Sequence, residues 1–477
     1  MGSLLTSILS ILFLLLIIST MIVILTGNSN NEHTTTWLIV VMVFPLIGLI
    51  LYYIFGYNPR RRGEYKKNYL KFLDKFFEIA SPELIHKMIT KDDRSKIRSQ
   101  YSKLADLLTQ SNDASVIAGN DIEIITSGQR KLESLIEDIS NAQHHIHFEY
   151  FYFRRDENCR RIRDLLMQKA KEGVQVRFIY ENIANIDISP RYYKKMCEAG
   201  VEVLPFTKTG LPWIRRQLNY RDHRKIVVID GNIGYTGGMN IGDDYFVKWR
   251  DTHLRITGNG VAGLQYCFLH AWFESGGKLP EDLNSCFPFH ENNYEPNLLQ
   301  IVPDAPDSRW PFLLLGNMWA VENARSYIYI QTPYYLPPDG LFQTLKSAAL
   351  SGVDVRIMLS HKSDFFFMDW ATQSYYEESL RAGIRILELQ DSFSHAKSIM
   401  VDDYLSIMGS ANMDFRSLDL SFEINTYIYD EKITLQNKAI FFEDCESCKE
   451  ITLENWLKRP WYIKLLQSFM RLLAPLL

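Results

Sequence analysis

Two segments of the chain repeat one pattern of residues that can bind and transfer a phosphate. Each reads His-x-Lys-x4-Asp and continues to Gly-(Gly/Ser)-x-Asn, once in HRKIVVIDGNIGYTGGMN and again in HAKSIMVDDYLSIMGSAN. The chemically active positions are His223, Lys225, Asp230 and Asn240 in the first copy and His395, Lys397, Asp402 and Asn412 in the second. On a strand, the His and the Lys of each copy share one face, whereas the Asp has the opposite parity. One imidazole, one ammonium group and one amide from each copy can therefore converge on a phosphate.

This set of groups suits phosphoryl transfer through a covalent phosphohistidine. One imidazole attacks phosphorus and the other protonates the leaving alkoxide, while the Lys and Asn donors stabilise charge on the equatorial oxygens. Asp230 and Asp402 belong to the catalytic motif by position, but their parity turns them away, and we expect them to hold a glycine turn or a loop. Gly238 stands in the first copy where the second has Ser410, so the two halves differ if that hydroxyl contacts phosphate.

A carboxylate lies at the same distance after each motif histidine. Asp251, in WRDTHLRI, and Glu423, in SFEIN, each follow their histidine by 28 residues. A carboxylate that accepts the second N–H of each imidazole would fix its tautomer and raise its basicity. The alternative is that both acids lie on the surface and coincide by chance. Glu149 and Gln331 also hold matching positions, and could line the cleft where the copies meet.

Two other groups of residues suggest metal chemistry but are weaker signals. His145, His147 and Glu149 share a strand face, yet the second copy has two tyrosines and a glutamine at the matching positions. Cys445 and Cys448 form the one C-x-x-C, which also fits two thiols one helical turn apart. The six scattered cysteines indicate free thiols in a reducing compartment. We expect neither a metal nor a cofactor.

The elements that must position the motifs are repeated as well. The segment from Asn141 to Arg177 resembles the segment from Asn323 to Arg356 in order and pattern. Each opens with an alternating aromatic and aliphatic strand, continues through a helix, turns at a glycine and enters a short Val-rich strand. The repeat predicts a duplicated α/β fold.

The N-terminal region has the pattern of a membrane hairpin. The run from Leu4 to Leu25 has no charge, and a second apolar run extends from Trp37 to Phe55. Pro45 lies inside the second run and is expected to kink it. A basic cluster follows, made of Arg60, Arg61, Arg62, Lys66 and Lys67. By the positive-inside rule both termini are then cytoplasmic, although a cleaved signal peptide is the alternative.

Composition narrows the function further. The chain has 477 residues, 52 Lys+Arg and 56 Asp+Glu, so its net charge of -4 argues against a general nucleic-acid binder. Its length allows two or three domains. Two further segments could contact lipid or could equally pack on the protein, namely LPWIRR from Leu211 to Arg216 and the amphipathic tail from Trp456 to Leu477.

Taken together, these motifs resemble the phospholipase D superfamily and, within it, the bacterial cardiolipin synthases. The resemblance covers nearly the whole chain, including HIHFEYFYF, YIYIQTPYYLP and GSANMDFRSLDLSFEIN. It implies an α/β fold: an N-terminal two-helix transmembrane hairpin followed by two duplicated phospholipase D-like lobes with a pseudo-twofold axis and one active site between them. The expected division is a hairpin over 1–58, a helical connector over 59–115, a first lobe over 116–300 and a second lobe with the tail over 301–477.

The resemblance also implies a reaction and a role for each residue. A phosphatidyl group would pass from one phosphatidylglycerol to another, giving cardiolipin and glycerol, in a cell membrane with the catalytic lobes in the cytoplasm. His223 is assigned as nucleophile and His395 as general acid and then base, although the near-symmetric motifs allow the reverse. The phosphate would be held by Lys225, Lys397, Asn240 and Asn412.

Other functions remain open at this stage. A hydrolytic phospholipase D carries the same motifs, and so does a transferase with another acceptor alcohol. A nuclease of the superfamily would not need the hairpin, and a scaffold without activity would be expected to have lost a His or Lys. The motifs leave the oligomeric state and the lipid entry route unassigned.

Overall fold

A computed structural model describes residues 2–27, 31–56, 64–90, 92–111, 114–206, 220–288 and 297–476. Two of the features predicted above lie outside these ranges: the arginines of the basic cluster, Arg60 to Arg62, and the LPWIRR segment. The described residues form a helical N-terminal region followed by two α/β lobes that are built on two sheets.

In the part of the chain that the structure describes, six α-helices precede the lobes. They are α1 (Gly2–Gly27), α2 (Asn31–Val43), α3 (Pro45–Phe55), α4 (Glu64–Ile79), α5 (Pro82–Thr90) and α6 (Ser102–Thr109). Within the described residues, α1 is the one helix long and apolar enough to cross a membrane, over Leu4–Thr26. It packs on α2 and α3 through a small apolar cluster that includes Ile24, Trp37 and Tyr52.

The second predicted span is divided in the structure. Phe44 leaves the helical conformation, with φ -126° and ψ 70°, and α3 begins at Pro45. The reason is local, because proline has no N–H to donate and its ring disfavours the helical conformation at the preceding residue. We predicted one kinked helix here, and the structure has two shorter helices, α2 and α3, that are separated at Phe44.

The described residues of the first lobe form eight strands and four helices, which β1 (Val116–Ile117) precedes in the chain. In chain order they are β2 (Asn120–Ile125), α7 (Gly128–Asn141), β3 (His145–Tyr150), α8 (Glu157–Lys171), β4 (Gln175–Tyr180), α9 (Pro190–Glu198), β5 (Glu202–Pro205), β6 (Arg221–Asp222), β7 (Lys225–Ile229), β8 (Ile233–Gly237), β9 (His253–Gly258) and α10 (Val261–Glu274). Seven of these strands form one sheet in the order β2-β9-β8-β7-β3-β4-β5. β3, β4 and β5 are parallel, and the other neighbours are antiparallel.

The second lobe follows the same plan. Its elements are β10 (Leu298–Asp304), α11 (Phe312–Glu322), β11 (Tyr327–Gln331), β12 (Tyr335–Leu336), α12 (Asp339–Leu350), β13 (Asp354–Ser360), α13 (Phe366–Gln373), α14 (Tyr376–Arg381), β14 (Arg385–Leu389), β15 (Ser398–Val401), β16 (Leu405–Gly409), β17 (Met413–Asp414), β18 (Ser421–Tyr429), α15 (Glu431–Cys445), β19 (Cys448–Ile451), α16 (Leu453–Leu457) and α17 (Trp461–Leu473). The main sheet has the order β1-β10-β18-β16-β15-β11-β13-β14-β19.

The inner seven strands of the second sheet repeat the first sheet strand for strand. β10, β18, β16, β15, β11, β13 and β14 correspond to β2, β9, β8, β7, β3, β4 and β5, and every neighbouring pair has the same relative direction. A π-helical turn also recurs, at Asp244–Lys248 and at Arg416–Leu420. The sequence repeat is therefore a repeat of whole lobes.

The two lobes share a core instead of packing as separate bodies. Side chains of α10 meet Ile226 and Leu254 from the first sheet and Ile301 and Ile424 from the second. β1 lies at the start of the range expected for the first lobe, but it pairs with β10 and so extends the second sheet. The predicted connector over 59–115 contributes to both cores. Phe72 of α4 packs on α10, whereas α6 joins the core of the second lobe.

Candidate active site

The two motif histidines lie at the start of equivalent strands. His223 comes two residues before β7 and His395 three residues before β15. Aromatic rings surround both imidazoles: Phe151 lies 4.8 Å from the ring of His223, and Tyr245 and Trp249 lie 5.4 and 5.6 Å from the ring of His395. These walls exclude water from one side of each ring, which strengthens every electrostatic interaction in the site.

Each imidazole is held by a buried carboxylate from the other lobe. The Nδ1 atom of His223 lies 3.0 Å from Oε1 of Glu423, and Nδ1 of His395 lies 2.7 Å from Oδ2 of Asp251. Both carboxylates are fully buried. The equal spacing of 28 residues in the sequence does not reveal this exchange, because it relates each acid to the histidine of its own copy.

Backbone pairing between the lobes produces the exchange. β6, which leads into His223, pairs in parallel with the start of β18, so that the N–H of His223 donates to Phe422 O over 2.9 Å. The same arrangement occurs on the other side, where Arg250 and Ser394 form a parallel bridge and the N–H of His395 donates to Arg250 O over 2.7 Å. Each carboxylate is thus the next residue after the backbone carbonyl that fixes the opposite histidine.

The motif lysines lie in the same buried volume as the histidines. Nζ of Lys225 donates to the carbonyl of His223 over 2.6 Å, and Nζ of Lys397 donates to the carbonyl of His395 over 2.7 Å. Nζ of Lys397 also lies 3.0 and 3.2 Å from the two ring nitrogens of His395. Burial lowers the pKa of Lys225 to about 7 and that of Lys397 to about 8, against the opposing effect of the carboxylates.

The electrostatics of the site favour neutral imidazoles and ionised carboxylates. Burial, and then Lys397, lower the pKa of His395 to about 3, and burial also lowers the pKa of His223. For Glu423 and Asp251 burial alone would raise the pKa, but the facing imidazole and lysines outweigh it, so both pKa values are lowered. An ionised carboxylate at Nδ1 selects the tautomer whose proton is on Nδ1 and leaves a lone pair on Nε2.

The two halves of the site differ at one position beside the carboxylates. The hydroxyl of Ser410 donates to Oε2 of Glu423 and accepts the N–H of Ile424 over 2.9 Å. Gly238 takes the matching position in the first lobe, where a Cβ atom would lie 2.2 Å from Oδ1 of Asp251. The serine hydroxyl therefore contacts the carboxylate that holds His223, which makes the environments of the two histidines unequal.

The two motif asparagines are also in different environments. Oδ1 of Asn240 accepts the N–H of Tyr152 over 3.2 Å, and its Nδ2 donates to the hydroxyl of Tyr245 over 2.7 Å. The buried Oδ1 of Asn412 has no hydrogen-bond partner within the part of the chain that the structure describes. An amide oxygen accepts hydrogen bonds, so this unpaired acceptor suits a donor such as a substrate hydroxyl, whereas a phosphate oxygen would need the Nδ2 group of either asparagine.

The motif aspartates lie at the far ends of the strands from the histidines. The carboxylate of Asp230 accepts the backbone N–H groups of residues 143, 144 and 145 over 2.8 to 2.9 Å. Asp402 accepts those of residues 325, 326 and 327 in the same way. Both aspartates have φ 51°, a left-handed conformation that Asp adopts more readily than most residues. Each one fastens the turn after its motif strand to the start of the neighbouring strand.

Glu149 and Gln331 are buried inside the protein and do not form an exposed cleft wall. Oε1 of Glu149 lies 2.9 Å from Nε of Arg224, the residue after His223. Nε2 of Gln331 donates to Asp444 over 2.7 Å. The two matching positions therefore make different contacts, because Glu149 pairs with an arginine and Gln331 pairs with an aspartate.

Sequence reasoning missed one link between the lobes. Arg250 forms an ion pair with Asp444 at 2.7 Å and donates to the carbonyl of Asp251 over 2.7 Å, so it holds the carboxylate segment of the first lobe onto α15 of the second. Phe422 takes the position of Arg250 in the second copy. The repeat thus gave no signal for this arginine, although it directly precedes Asp251.

The residues that suggested metal chemistry are engaged otherwise. His145 and His147 both contact Oε1 of Gln265, at 3.2 and 3.1 Å. Among the described residues, no group of three or more His, Cys, Asp or Glu side chains is placed to hold a metal ion. Cys445 and Cys448 are free thiols.

A duplicated α/β fold with one His-x-Lys-x4-Asp motif per lobe defines a phospholipase D-like protein. The family model described as "Cardiolipin synthase, PLD-like domain" matches residues 135–272 and 319–445, and the model described as "Phospholipase_D-nuclease N-terminal" matches residues 8–56. The chain belongs to the cardiolipin synthase family of phospholipase D-like proteins, which confirms the resemblance seen in the sequence.

Similar proteins support this placement. The chain is 38% identical over 444 residues to the major cardiolipin synthase ClsA of Bacillus subtilis, which covers 91% of each chain. It is 35% identical over 441 residues to a cardiolipin synthase of Halalkalibacterium halodurans, covering 91% of this chain and 87% of that one. The crystal structure of phosphatidylserine synthase from Haemophilus influenzae has the same fold, with a TM-score of 0.60 and 16% identity over 79% of this chain and 100% of that one.

Proposed function

We propose that the protein is a cardiolipin synthase that moves a phosphatidyl group from one phosphatidylglycerol to another and releases glycerol. The observation that carries the proposal is the pair of buried imidazoles, each held at Nδ1 by an ionised carboxylate of the other lobe and each beside a lysine. Two lipid alcohols must be handled in turn at one phosphorus, and two imidazoles in opposite roles meet that requirement.

In the first half of the reaction His223 is the nucleophile. Because Glu423 accepts the Nδ1 proton, Nε2 carries the lone pair that attacks phosphorus. The new P–N bond replaces the P–O bond to glycerol, and His395 gives its Nε2 proton to the leaving oxygen. The phosphodiester of the substrate is an anion that would bind beside Lys397, so it offsets the lysine charge that disfavours protonated His395.

In the second half of the reaction His395 acts as a base and His223 is the leaving group. His395, now neutral, accepts the proton of the terminal hydroxyl of a second phosphatidylglycerol, and that oxygen attacks phosphorus. The P–N bond breaks, cardiolipin forms and His223 is restored. Lys225, Lys397 and the amides of Asn240 and Asn412 bind the phosphate oxygens through both halves.

The two lobes are proposed to be related by a pseudo-twofold axis that passes between the histidines. The identical strand order supports it. The reciprocal backbone contacts of His223 and His395 support it as well, because the same donor and the same type of acceptor occur on both sides. Such symmetry presents the phosphorus with one imidazole on each side, as in-line attack and departure require.

The proposed setting is the inner leaflet of the cell membrane. α1 supplies one apolar crossing, and α2 with α3 supplies the apolar residues of a return path, so that both ends of a hairpin would lie in the cytoplasm. The basic residues Arg60 to Arg62 follow the hairpin in the sequence and favour this orientation. Both substrates are lipids of this leaflet.

Hydrolysis is the competing outcome of the same intermediate. Water in place of the second lipid alcohol would give phosphatidic acid, and a different alcohol would give another phosphatidyl lipid. The apolar helix at the N-terminus supports a reaction between two membrane lipids.

The test follows lipid products in vesicles of phosphatidylglycerol by mass spectrometry, with His223→Ala and His395→Ala beside the unaltered protein. His144→Ala is the matched control, because this exposed imidazole lies outside the site. We expect cardiolipin and glycerol in equal amounts, unchanged by EDTA or by the control substitution and lost in both site variants. Phosphatidic acid as the main product would assign the protein as a hydrolase, and activity that survives both site substitutions would refute the two-histidine mechanism.

A further inference from the structure

The helix α17 has its apolar side chains on the outside of the protein. Five of them form a stripe along the helix, called the apolar stripe here, which consists of Trp461, Tyr462, Leu465, Phe469 and Leu472. Trp461 is 75% exposed and Leu465 is 63% exposed. A helix on a water-soluble surface has the opposite arrangement, with its apolar residues inward and its polar residues in water.

The inner face of α17 buries Met470 in the core of the second lobe and is also held there by polar side chains. Nε2 of Gln467, which is buried, donates to Gln373 of α13 over 3.1 Å. Arg471 forms an ion pair with Glu378 of α14 at 2.6 Å, and its guanidinium lies 4.5 Å from the centre of the Tyr375 ring. Rotating α17 to bury the stripe would break these contacts, so the outward orientation is fixed by the fold.

The apolar stripe ends at the apolar N-terminal helices. The hydroxyl of Thr36 in α2 donates to the carbonyl of Leu472 over 3.3 Å. α2 packs in turn on α1, whose leucine and isoleucine side chains are exposed along most of its length. The stripe therefore extends the apolar surface of the candidate membrane span onto the catalytic lobe.

The stripe is also at the edge of the lobe that carries His395. α17 packs on α13, which begins six residues after β13 ends at Ser360. The hydroxyl of Ser360 donates to the carbonyl of Ser394, the residue before His395, over 3.1 Å. α17 and the catalytic cleft consequently lie at the same end of the second sheet, near the α1 surface.

We propose that the apolar stripe of α17 lies in the interface of the bilayer that α1 enters and so holds the catalytic cleft against the lipid surface. The helix has 13 residues and a length of about 20 Å, which is too short to cross a bilayer but suits a position in the membrane plane. Lys464 lies in the same helix, and its charge suits an anionic lipid surface, whereas Lys458 and Arg459 form ion pairs with Glu454 and Glu377. The occupant of the stripe is therefore anionic phospholipid.

The structure supplies a matched control site. Leu350, at the end of α12, is 73% exposed, which is close to the value for Leu465. α12 follows β11 and runs back toward the start of β13, so Leu350 lies at the opposite end of the second sheet from His395. A membrane that contacts Leu465 in this way would leave Leu350 in water.

The first experiment locates the stripe without using enzyme activity. The full chain carrying Trp461→Phe keeps eight tryptophans and serves as the parent. Leu465→Trp and Leu350→Trp are made in it separately, and the emission of each added tryptophan in phosphatidylglycerol vesicles is the difference from the parent. We expect brominated lipid to quench the reporter at position 465 and aqueous iodide to quench the reporter at position 350. The proposal is overturned if iodide reaches both reporters equally and brominated lipid reaches neither.

The second experiment measures what docking does, and this arm alone rests on the proposed function. The double variant Leu465→Asp with Phe469→Asp is compared with Leu350→Asp. Each large apolar side chain buried in the interface shifts the docking equilibrium by about tenfold or more. We therefore expect turnover of vesicle lipid to fall on the order of a hundredfold in the double variant, with no change in turnover of a short-chain, monomeric phosphatidylglycerol.

The outcomes are distinguishable. If the unaltered protein makes no cardiolipin from either substrate, the proposed function fails, while the reporters still test the docking. If the double variant loses activity on vesicle and monomeric lipid equally, the stripe acts on the fold and the docking role is overturned. If brominated lipid fails to quench position 465 and the double variant changes a dimer into a monomer in nanodiscs, the stripe is a contact between copies of the chain.

Discussion

The exchange of carboxylates between the lobes makes a prediction that distinguishes this structure from two independent half-sites. Glu423 of the second lobe is expected to control the nucleophile His223 of the first, whereas Asp251 of the first lobe controls His395. The perturbation is Glu423→Gln, with Asp251→Asn as its counterpart. Both are nearly isosteric and remove the charge that accepts the Nδ1 proton.

The magnitude follows from the bond that is lost. A hydrogen bond to a charged acceptor contributes about 1.5–3 kcal/mol, which corresponds to about 10- to 150-fold in rate when the bond strengthens in the transition state. In the proposed mechanism the bond to His223 strengthens, because the imidazole would gain positive charge as the P–N bond forms while Glu423 holds its Nδ1. The amide of glutamine can also donate to Nδ1, which would stabilise the tautomer with its lone pair on the wrong nitrogen.

The assay separates the two histidines by the choice of leaving group. A phosphatidyl ester of p-nitrophenol loses a stable phenolate and needs no general acid, so the burst of p-nitrophenol reports the attack by His223 alone. We expect Glu423→Gln to slow this burst by about 10- to 150-fold and Asp251→Asn to leave it close to the unaltered rate. With phosphatidylglycerol, whose glycerol needs a proton from His395, both variants should be slow.

The burst is followed by mass spectrometry of the quenched protein to locate the phosphatidyl adduct. The exchange is refuted if Asp251→Asn alone slows the burst while the adduct is on His223, since each carboxylate would then serve the histidine of its own lobe. The same kinetic result with the adduct on His395 would assign His395 as the nucleophile. Equal slowing by both variants would show that the two imidazoles act as one coupled unit.

Three further predictions concern the surroundings of the histidines. Gly238→Ser should disable the first half of the site, because its Cβ would lie 2.2 Å from Oδ1 of Asp251; overpacking of this kind costs about 1–3 kcal/mol, measurable as a lower Tm, and turnover should fall with it. Asp230→Ala removes the acceptor of backbone N–H groups from residues 143, 144 and 145. The free energy of unfolding should fall by about 1–3 kcal/mol, while the folded protein keeps its turnover. Lost turnover at an unchanged Tm would contradict the structural role. The pKa is about 7 for Lys225 and about 8 for Lys397, so each lysine is charged below its value and neutral above it. KM for phosphatidylglycerol should therefore rise between pH 7 and pH 9, and Lys225→Arg should remove the lower of the two transitions. A flat KM profile would contradict this prediction.

Much of the fold could be predicted because the repeat is written in local sequence patterns. The alternating residues of HIHFEYFYF and YIYIQTPYY form β3 and β11, and the Val-rich segments after the glycine turns form β4 and β13. The conformation of each of these segments depends on its own side-chain alternation and on neighbours a few residues away. The order of the strands could not be predicted in the same way, since β10 and β18 are neighbours although they lie more than 100 residues apart.

In the second apolar run Pro45 was expected to kink the helix, and the helix is interrupted directly before it. Its hydropathy indicated one span, and the structure divides it at Phe44. The composition of the run measures how apolar it is, whereas the position of Pro45 determines whether a single helix axis can continue through it.

The sequence by itself indicated the groups that are proposed to do the chemistry: two histidines, two lysines, two asparagines and two carboxylates at repeated spacings. Tertiary structure alone decided how they are combined. Glu423 and Asp251 exchange histidines, and Ser410 and Arg250 support them unequally, because β6 pairs with β18 and Arg250 pairs with Ser394 across the lobes. The physical reason is that sequence spacing determines how residues are placed within one lobe. Hydrogen bonds between strands that are far apart in the sequence determine which lobe's carboxylate lies beside each imidazole.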